Sequence, residues 1–339
     1  MEAPPKQPRP RRRGPAQLAT VAAPLAVLIA TAACGTPAAS APAERPPATS
    51  PTGSSGGAAG DATSRDATSD ATSGATSGAT SAQADDLPAP GAKIPTSAGA
   101  LATALKETTA KLNDAIDAWT KSGRTAKGGP PRDVELLALY QQRVYRYAAR
   151  HPDLAARAFA RLPAALASQA KDNTAAIREL LALARPIKPS AVFKTQKARP
   201  AGELLGYFKK AERRFGVEWE VLAAVMFAET KFGRVRSDSY VGAQGPMQFM
   251  PATWKAYGLG GNVQNPRDAV MGAANYLKAT GAPRDYRRAL HAYNPSRAYV
   301  NAILAHSRQI KRDPRAYYAY YSWQVFVLTT AGERRLTGP

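Results

Sequence analysis

Residues 217–233 read VEWEVLAAVMFAETKFG. Gly216 and Gly233 bracket the run, which predicts one helix over 217–232. At 3.6 residues per turn Leu222, Val225 and Met226 share a face, and Glu229 falls in its middle. Glu229 also stands in the last turn, where the helix dipole favours a cation. Both effects disfavour a carboxylate and raise its pKa. A carboxylic acid kept protonated near neutral pH is what general acid catalysis uses. The competing reading is a structural Glu, paired with Lys231, Arg234 or Arg236 or exposed beyond the core.

Helical punctuation continues on both sides of this run. Downstream, a Gly-rich loop spans 242–248, and Pro251 opens a short turn of helix. Asn265-Pro266-Arg267-Asp268 is a helix start: Asn caps, Pro fits the first position, and Asp suits the positive end. That helix runs to about Thr280, and two more fit 286–293 and 296–310. Upstream, a helix over 202–215 ends at Gly216. Leu101, Leu105, Leu112, Ile116 and Trp119 form an earlier stripe, ending at Ser122-Gly123. After a basic Gly/Pro loop, Asp133 caps a second helix with Val134, Leu137, Val144 and Tyr147 inward. Shorter helices fit 152–161 and 163–184, and Pro186 and Pro189 mark a boundary. Strand alternation is confined to 321–330. The expected fold class is all-α.

Three segments recur in order: Ala228-Glu229-Thr230, then Gly242–Pro251 with Gly245-Pro246-Met247-Gln248, then Ala292-Tyr293-Asn294. This set resembles the lytic transglycosylases, of the lysozyme-like superfamily, which cut bacterial peptidoglycan. The resemblance covers 202–310, about a third of the chain. Thr230 in place of Ser, with Gln-Phe-Met-Pro after Pro246-Met247, is more similar to the membrane-bound branch than to the soluble one. It implies a lysozyme-like catalytic domain and the β-1,4 bond between N-acetylmuramic acid and N-acetylglucosamine as target. It implies Glu229 as the single acid and base, with 1,6-anhydro ring closure, an exception to the two-carboxylate rule. It carries Tyr293 over as a hydrogen-bond partner orienting Glu229. Met247, Gln248 and Asn294 become lining groups of the glycan groove, and Thr230 sits beside the acid. For Tyr293 and Met247 a plain core role is the alternative.

The ends speak to location. Lys6, Arg9, Arg11, Arg12 and Arg13 precede an Ala/Leu/Val-rich stretch that closes on Thr31-Ala32-Ala33-Cys34. This is similar to a bacterial lipoprotein processing site, with Cys34 lipidated, although Thr31 stands where an aliphatic is usual. A plain secretion signal and an uncleaved anchor remain as alternatives. Residues 35–95 hold no Phe, Trp, Tyr or Val and carry a crude Asp-Ala-Thr-Ser repeat, so they read as a disordered tether. The division is 1–34 export segment, 35–95 linker, 96–195 helical region of unassigned role, 200–312 catalytic domain, and 313–339 aromatic-rich extension. The extension reads as a clasp over the catalytic domain or as further glycan groove.

Cys34 is the only cysteine of the 339 residues, and the three histidines lie far apart. These facts exclude an internal disulfide framework and a Cys-based zinc site. No HExxH, GxSxG or GxxxxGK[ST] pattern occurs, so zincin, elbow-type hydrolase and P-loop chemistry are set aside. No metal and no cofactor is expected. The net charge is +21, spread over 96–339, which suits an anionic surrounding. Expected partners are peptidoglycan glycan strands, anionic wall polymers and the membrane through the N-terminus. The export signal argues against nucleic acid. A lysozyme-type hydrolase is the rival, with Asp238 as its base, and a non-catalytic wall-binding lipoprotein is the third reading.

Overall fold

The computed structural model describes residues 87–336. The export segment with Cys34, and the linker through residue 86, lie outside the described residues. Eleven α-helices and one hairpin are present among them. The helices are α1 (Ala98–Lys121), α2 (Arg132–Arg150), α3 (Pro152–Phe159), α4 (Ala164–Ala182), α5 (Ala201–Phe215) and α6 (Trp219–Thr230). They continue with α7 (Pro251–Tyr257), α8 (Pro266–Thr280), α9 (Tyr286–Tyr293), α10 (Arg297–Arg312) and α11 (Arg315–Ser322). Strands β1 (Phe326–Thr329) and β2 (Gly332–Arg335) pair antiparallel, Phe326 opposite Arg335. No helix among the described residues is long and apolar enough to cross a membrane.

Helix α6 is the axis of the fold. Every residue from Val221 to Thr230 is buried. It is apolar all round rather than on one face, so Glu229 is an acid inside a buried helix and not one on an amphipathic stripe. Helices α5, α8, α10 and α11 pack around it. Helix α10 packs against α4 as well, and α4 against α2, so the region upstream of residue 195 forms one body with the segment after 200.

The end of α6 is unusual. Lys231, Phe232 and Gly233 take positive φ in succession (51°, 61° and 81°). The amide of Lys231 donates to Phe227 and that of Phe232 reaches back to Met226, which closes the helix where glycine is the ordinary choice. A left-handed non-glycine residue costs ~1–2 kcal/mol. Burial of Phe232 against Phe208, Phe227, Tyr317 and Tyr321, with ring centroids 5.6–6.5 Å away, offsets that. A buried Phe contributes ~1.5–3 kcal/mol.

Several expectations are corrected. The tail does not begin as a strand at Tyr321. Pro314 opens α11, and Tyr317, Tyr320 and Tyr321 point into the core with Trp323 just after. Tyr317 stands edge-on to Phe208 and Phe232, and Phe227 stacks on Tyr320 at 5.0 Å. The tail is thus a clasp, and these rings are unavailable to a sugar. Asp133 is not the cap of α2, which starts at Arg132 after Pro131; its carboxylate accepts from Val134 N instead. Tyr145 rather than Tyr147 is the fully buried ring of α2. Nor is the linker free up to 95: Arg143 donates to the carbonyls of Pro90 and Ala92, and Tyr140 to that of Lys93.

Candidate active site

Glu229 is 2% exposed. Its Oε1 accepts a hydrogen bond of 2.8 Å from the hydroxyl of Tyr299 on α10, and its Oε2 has no partner among the described residues. Burial holds its pKa well above the usual carboxylate range, while the Tyr299 bond and then the Lys231 ammonium pull the other way. Desolvation wins because one donor serves two oxygens. The shift favours the protonated carboxyl, with one oxygen fixed by Tyr299 and the other buried without a partner among the described residues. Of the proposed counter-charges, only Lys231 acts on it. No salt bridge to Arg234 or Arg236 forms.

Lys231 is itself constrained. Its Nζ donates to the Phe227 carbonyl at 3.1 Å and lies 4.0 Å from the Phe227 ring centroid. Burial first, then Arg146, lowers its pKa to about 7. His306, its ring 4.9 Å from that of Phe227, is buried with its pKa pushed down to about 3, chiefly by burial.

Tyr293 is a correction. Its hydroxyl donates to the Met247 carbonyl at 2.5 Å, not to Glu229. It stands close enough that the Glu229 charge, after burial, raises its pKa. The residue that holds the acid is Tyr299, six positions on, which sequence reasoning missed. Tyr299 follows Ser296, whose hydroxyl caps α10 by accepting from Tyr299 N. That cap sets the first turn of α10 and so the height of the Tyr299 ring.

Thr230 is also corrected. It is fully buried, and its hydroxyl donates to the Pro246 carbonyl (2.6 Å) and accepts from Gly233 N (2.8 Å). It ties the loop to the end of α6 and presents nothing to a ligand. Met247 is likewise fully buried, a core side chain whose carbonyl takes the Tyr293 bond. Gln248 is buried with φ +49°, its amide side chain donating to the Gly245 carbonyl. Asn294 ends α9; it is buried, with Oδ1 unpartnered among the described residues. Asp238 lies exposed in the loop before Gly242.

The Gly loop is shaped by sterics. Gly242 and Gly245 have φ of +83° and +71°. At Gly245 a Cβ would collide with the Val263 carbonyl, so a hydrogen is the only substituent that fits. Gln244 and Phe249 close the loop by reciprocal backbone bonds of 2.9 and 2.8 Å. The structure therefore gathers Glu229, Tyr299 and Tyr293 around one buried acid, with Thr230, Met247 and Gln248 forming the scaffold beneath the loop. Among the described residues no group of three or more His, Cys, Asp or Glu could hold a metal ion.

Residues 206–314 match the family model of the transglycosylase SLT domain. The match runs from within α5 to Pro314 and contains Glu229, the Gly loop, Tyr293, Asn294 and Tyr299. No solved structure matches the chain. Over these residues the sequence is similar to a lytic transglycosylase domain of the lysozyme-like superfamily.

Proposed function

For a chain carrying such a domain, we propose that it cleaves the N-acetylmuramic acid–N-acetylglucosamine β-1,4 bond without water, with Glu229 as acid and then base. The proton on Oε2 passes to the glycosidic oxygen, which leaves with the N-acetylglucosamine. The muramoyl N-acetyl oxygen supports the positive charge developing at the anomeric carbon. The Glu229 carboxylate then takes the proton of the muramoyl C6 hydroxyl, whose oxygen bonds to C1 and closes the 1,6-anhydro ring. Glu229 ends protonated, ready for another turn. The observation that carries this reading is one buried carboxyl with Oε1 held by Tyr299 and Oε2 unpartnered.

Digestion of purified peptidoglycan and mass spectrometry of the released ends tests this. Anhydro-muramoyl ends are expected, and reducing ends would make the protein a hydrolase. Glu229→Gln is expected to lose roughly 10²–10⁴-fold in rate while staying folded. A variant that releases product at the wild-type rate would move the acid elsewhere. We also propose lipid anchoring outside the cytoplasmic membrane through Cys34, beside glycan strands and anionic wall polymers. Cys34→Ala is then expected to leave the membrane fraction or to block processing.

A further inference from the structure

A cavity of about 340 Å³ is lined by none of Glu229, Gln248, Tyr293, Asn294 or Tyr299. Three arginines line it from three parts of the fold: Arg132 at the start of α2, Arg234 in the turn after α6, and Arg335 on β2. Glu135 is the one carboxylate in the lining, 3.8 Å from Arg132 in a pair whose side chains are 68% and 42% exposed. An ion pair so exposed is worth ~0–1 kcal/mol and leaves the cavity with an excess of positive charge.

The arginines are differently held. Arg234 is half-buried and fixed: Nη1 donates to the Lys231 carbonyl at 3.0 Å, and the guanidinium lies 4.7 Å from the Tyr321 ring. A guanidinium has five N–H donors, and that bond uses one. Arg335 forms no ion pair among the described residues. Leu136 and Leu139 of α2 supply an apolar wall beside these charges. Like charges brought to one cavity repel, and a fold holds them there at less cost when an anion joins them. The guanidinium fork matches the two oxygens of a carboxylate or phosphate in a way an ammonium does not. The volume falls in the ~300–1,000 Å³ range of small-molecule sites.

We propose that this cavity is an oxyanion-binding site, separate from the buried acid, for a small ligand with a carboxylate or phosphate head and a short apolar body. The inference does not depend on the role of Glu229.

Calorimetric titration of the full chain tests it, with inorganic phosphate in one arm and N-acetylalanine in the other, at constant ionic strength set by chloride. Saturable one-to-one binding with Kd of about 1 mM or below is expected in at least one arm, and the tighter arm names the head group. Arg132→Gln and Arg335→Gln are expected to weaken that binding at least ~10-fold, about 1.4 kcal/mol. Both positions keep enough exposure for the variants to fold, which circular dichroism verifies. Arg161→Gln, an exposed arginine outside the cavity, is expected to bind as wild type. Absence of saturation in both arms overturns the proposal. So does unchanged affinity in the two cavity variants, or an equal loss in Arg161→Gln, which would reduce the effect to overall charge.

Discussion

Tyr299 on α10 donates to Oε1 of Glu229 at 2.8 Å, bringing together residues seventy positions apart. The bond fixes which oxygen stays occupied and which is left to a substrate. Tyr299→Phe keeps the ring and removes the donor. Since that bond lowers the Glu229 pKa, its loss raises it further. The acid stays protonated to higher pH, so the alkaline limb of the activity profile is expected to move up. Turnover is expected to fall by roughly 10²-fold through misplacement of the carboxyl. A pH–rate series on soluble glycan fragments reads both; an unmoved limb would mean that the bond does not bias the proton.

Glu229 also bears on stability. Its folded pKa is raised, so the folded chain holds a proton that the unfolded chain has given up, beginning above its ordinary value of 4.5. Stability due to this group is full below that value and is lost as pH rises towards the folded pKa. Glu229→Gln removes the loss. Its melting temperature, relative to wild type, is expected to climb as pH rises above about 4.5, measured by calorimetry across the acid range.

Lys231 gives the opposite slope. Its pKa falls from 10.5 to about 7. Between those values the unfolded chain binds a proton that the folded one does not, so stability rises with pH there. Lys231→Met is expected to gain most, relative to wild type, at about pH 6 and to lose that advantage by about pH 10. Thermal melts at both ends check the trend; a constant difference would sink it.

Two glycines of one loop separate backbone strain from collision. Gly242 and Gly245 both have positive φ, but a Cβ meets open space at Gly242 and the Val263 carbonyl at Gly245. Gly242→Ala is expected to cost ~1–2 kcal/mol. Gly245→Ala is expected to cost more than about 3 kcal/mol, read as the difference in denaturant midpoints.

Thr230 bonds to Pro246 and Gly233 at once. Thr230→Val strands both partners in the interior and is expected to cost ~1–3 kcal/mol. Thr230→Ser, which keeps the hydroxyl, is expected to stay within about 1 kcal/mol of wild type. A loss in Thr230→Val no larger than in Thr230→Ser would mean that the two hydroxyl bonds carry no special share of the stability.

What reads from sequence here is what is local. Gly216, Gly281 and the Asn265-Pro266 start mark helix ends because each acts on its own turn of backbone, whereas Gly233 overshoots the end of α6, which Lys231 closes at Thr230. Glu229 stands out as a lone acid in an apolar run, although the run is buried on every side and its periodicity carries no information. Tyr299 is illegible for the opposite reason: its partner lies seventy residues earlier in the chain, and one tyrosine among fourteen carries no mark of it. The tail misleads because Tyr, Trp and Val favour strands, whereas the Phe227–Phe232 surface selects a helix that delivers rings on one side. Thr230 and Met247 sit within motifs that the family resemblance assigns to the groove, and only packing shows that both face inward.

The hydrogen bonds from Arg143 to Pro90 and Ala92, and from Tyr140 to Lys93, also decide how the body responds to force. Tension arriving along the backbone at Pro88 is taken up by α2 at those two side chains. Helix α2 leans on α1, α4 and α11, so the load spreads through the outer helices. Helix α11 also packs against α6, so it is one link between that load and the acid's helix. The grip of α2 on residues 90–93 is thus a strain relief at the point where the chain enters the helical body.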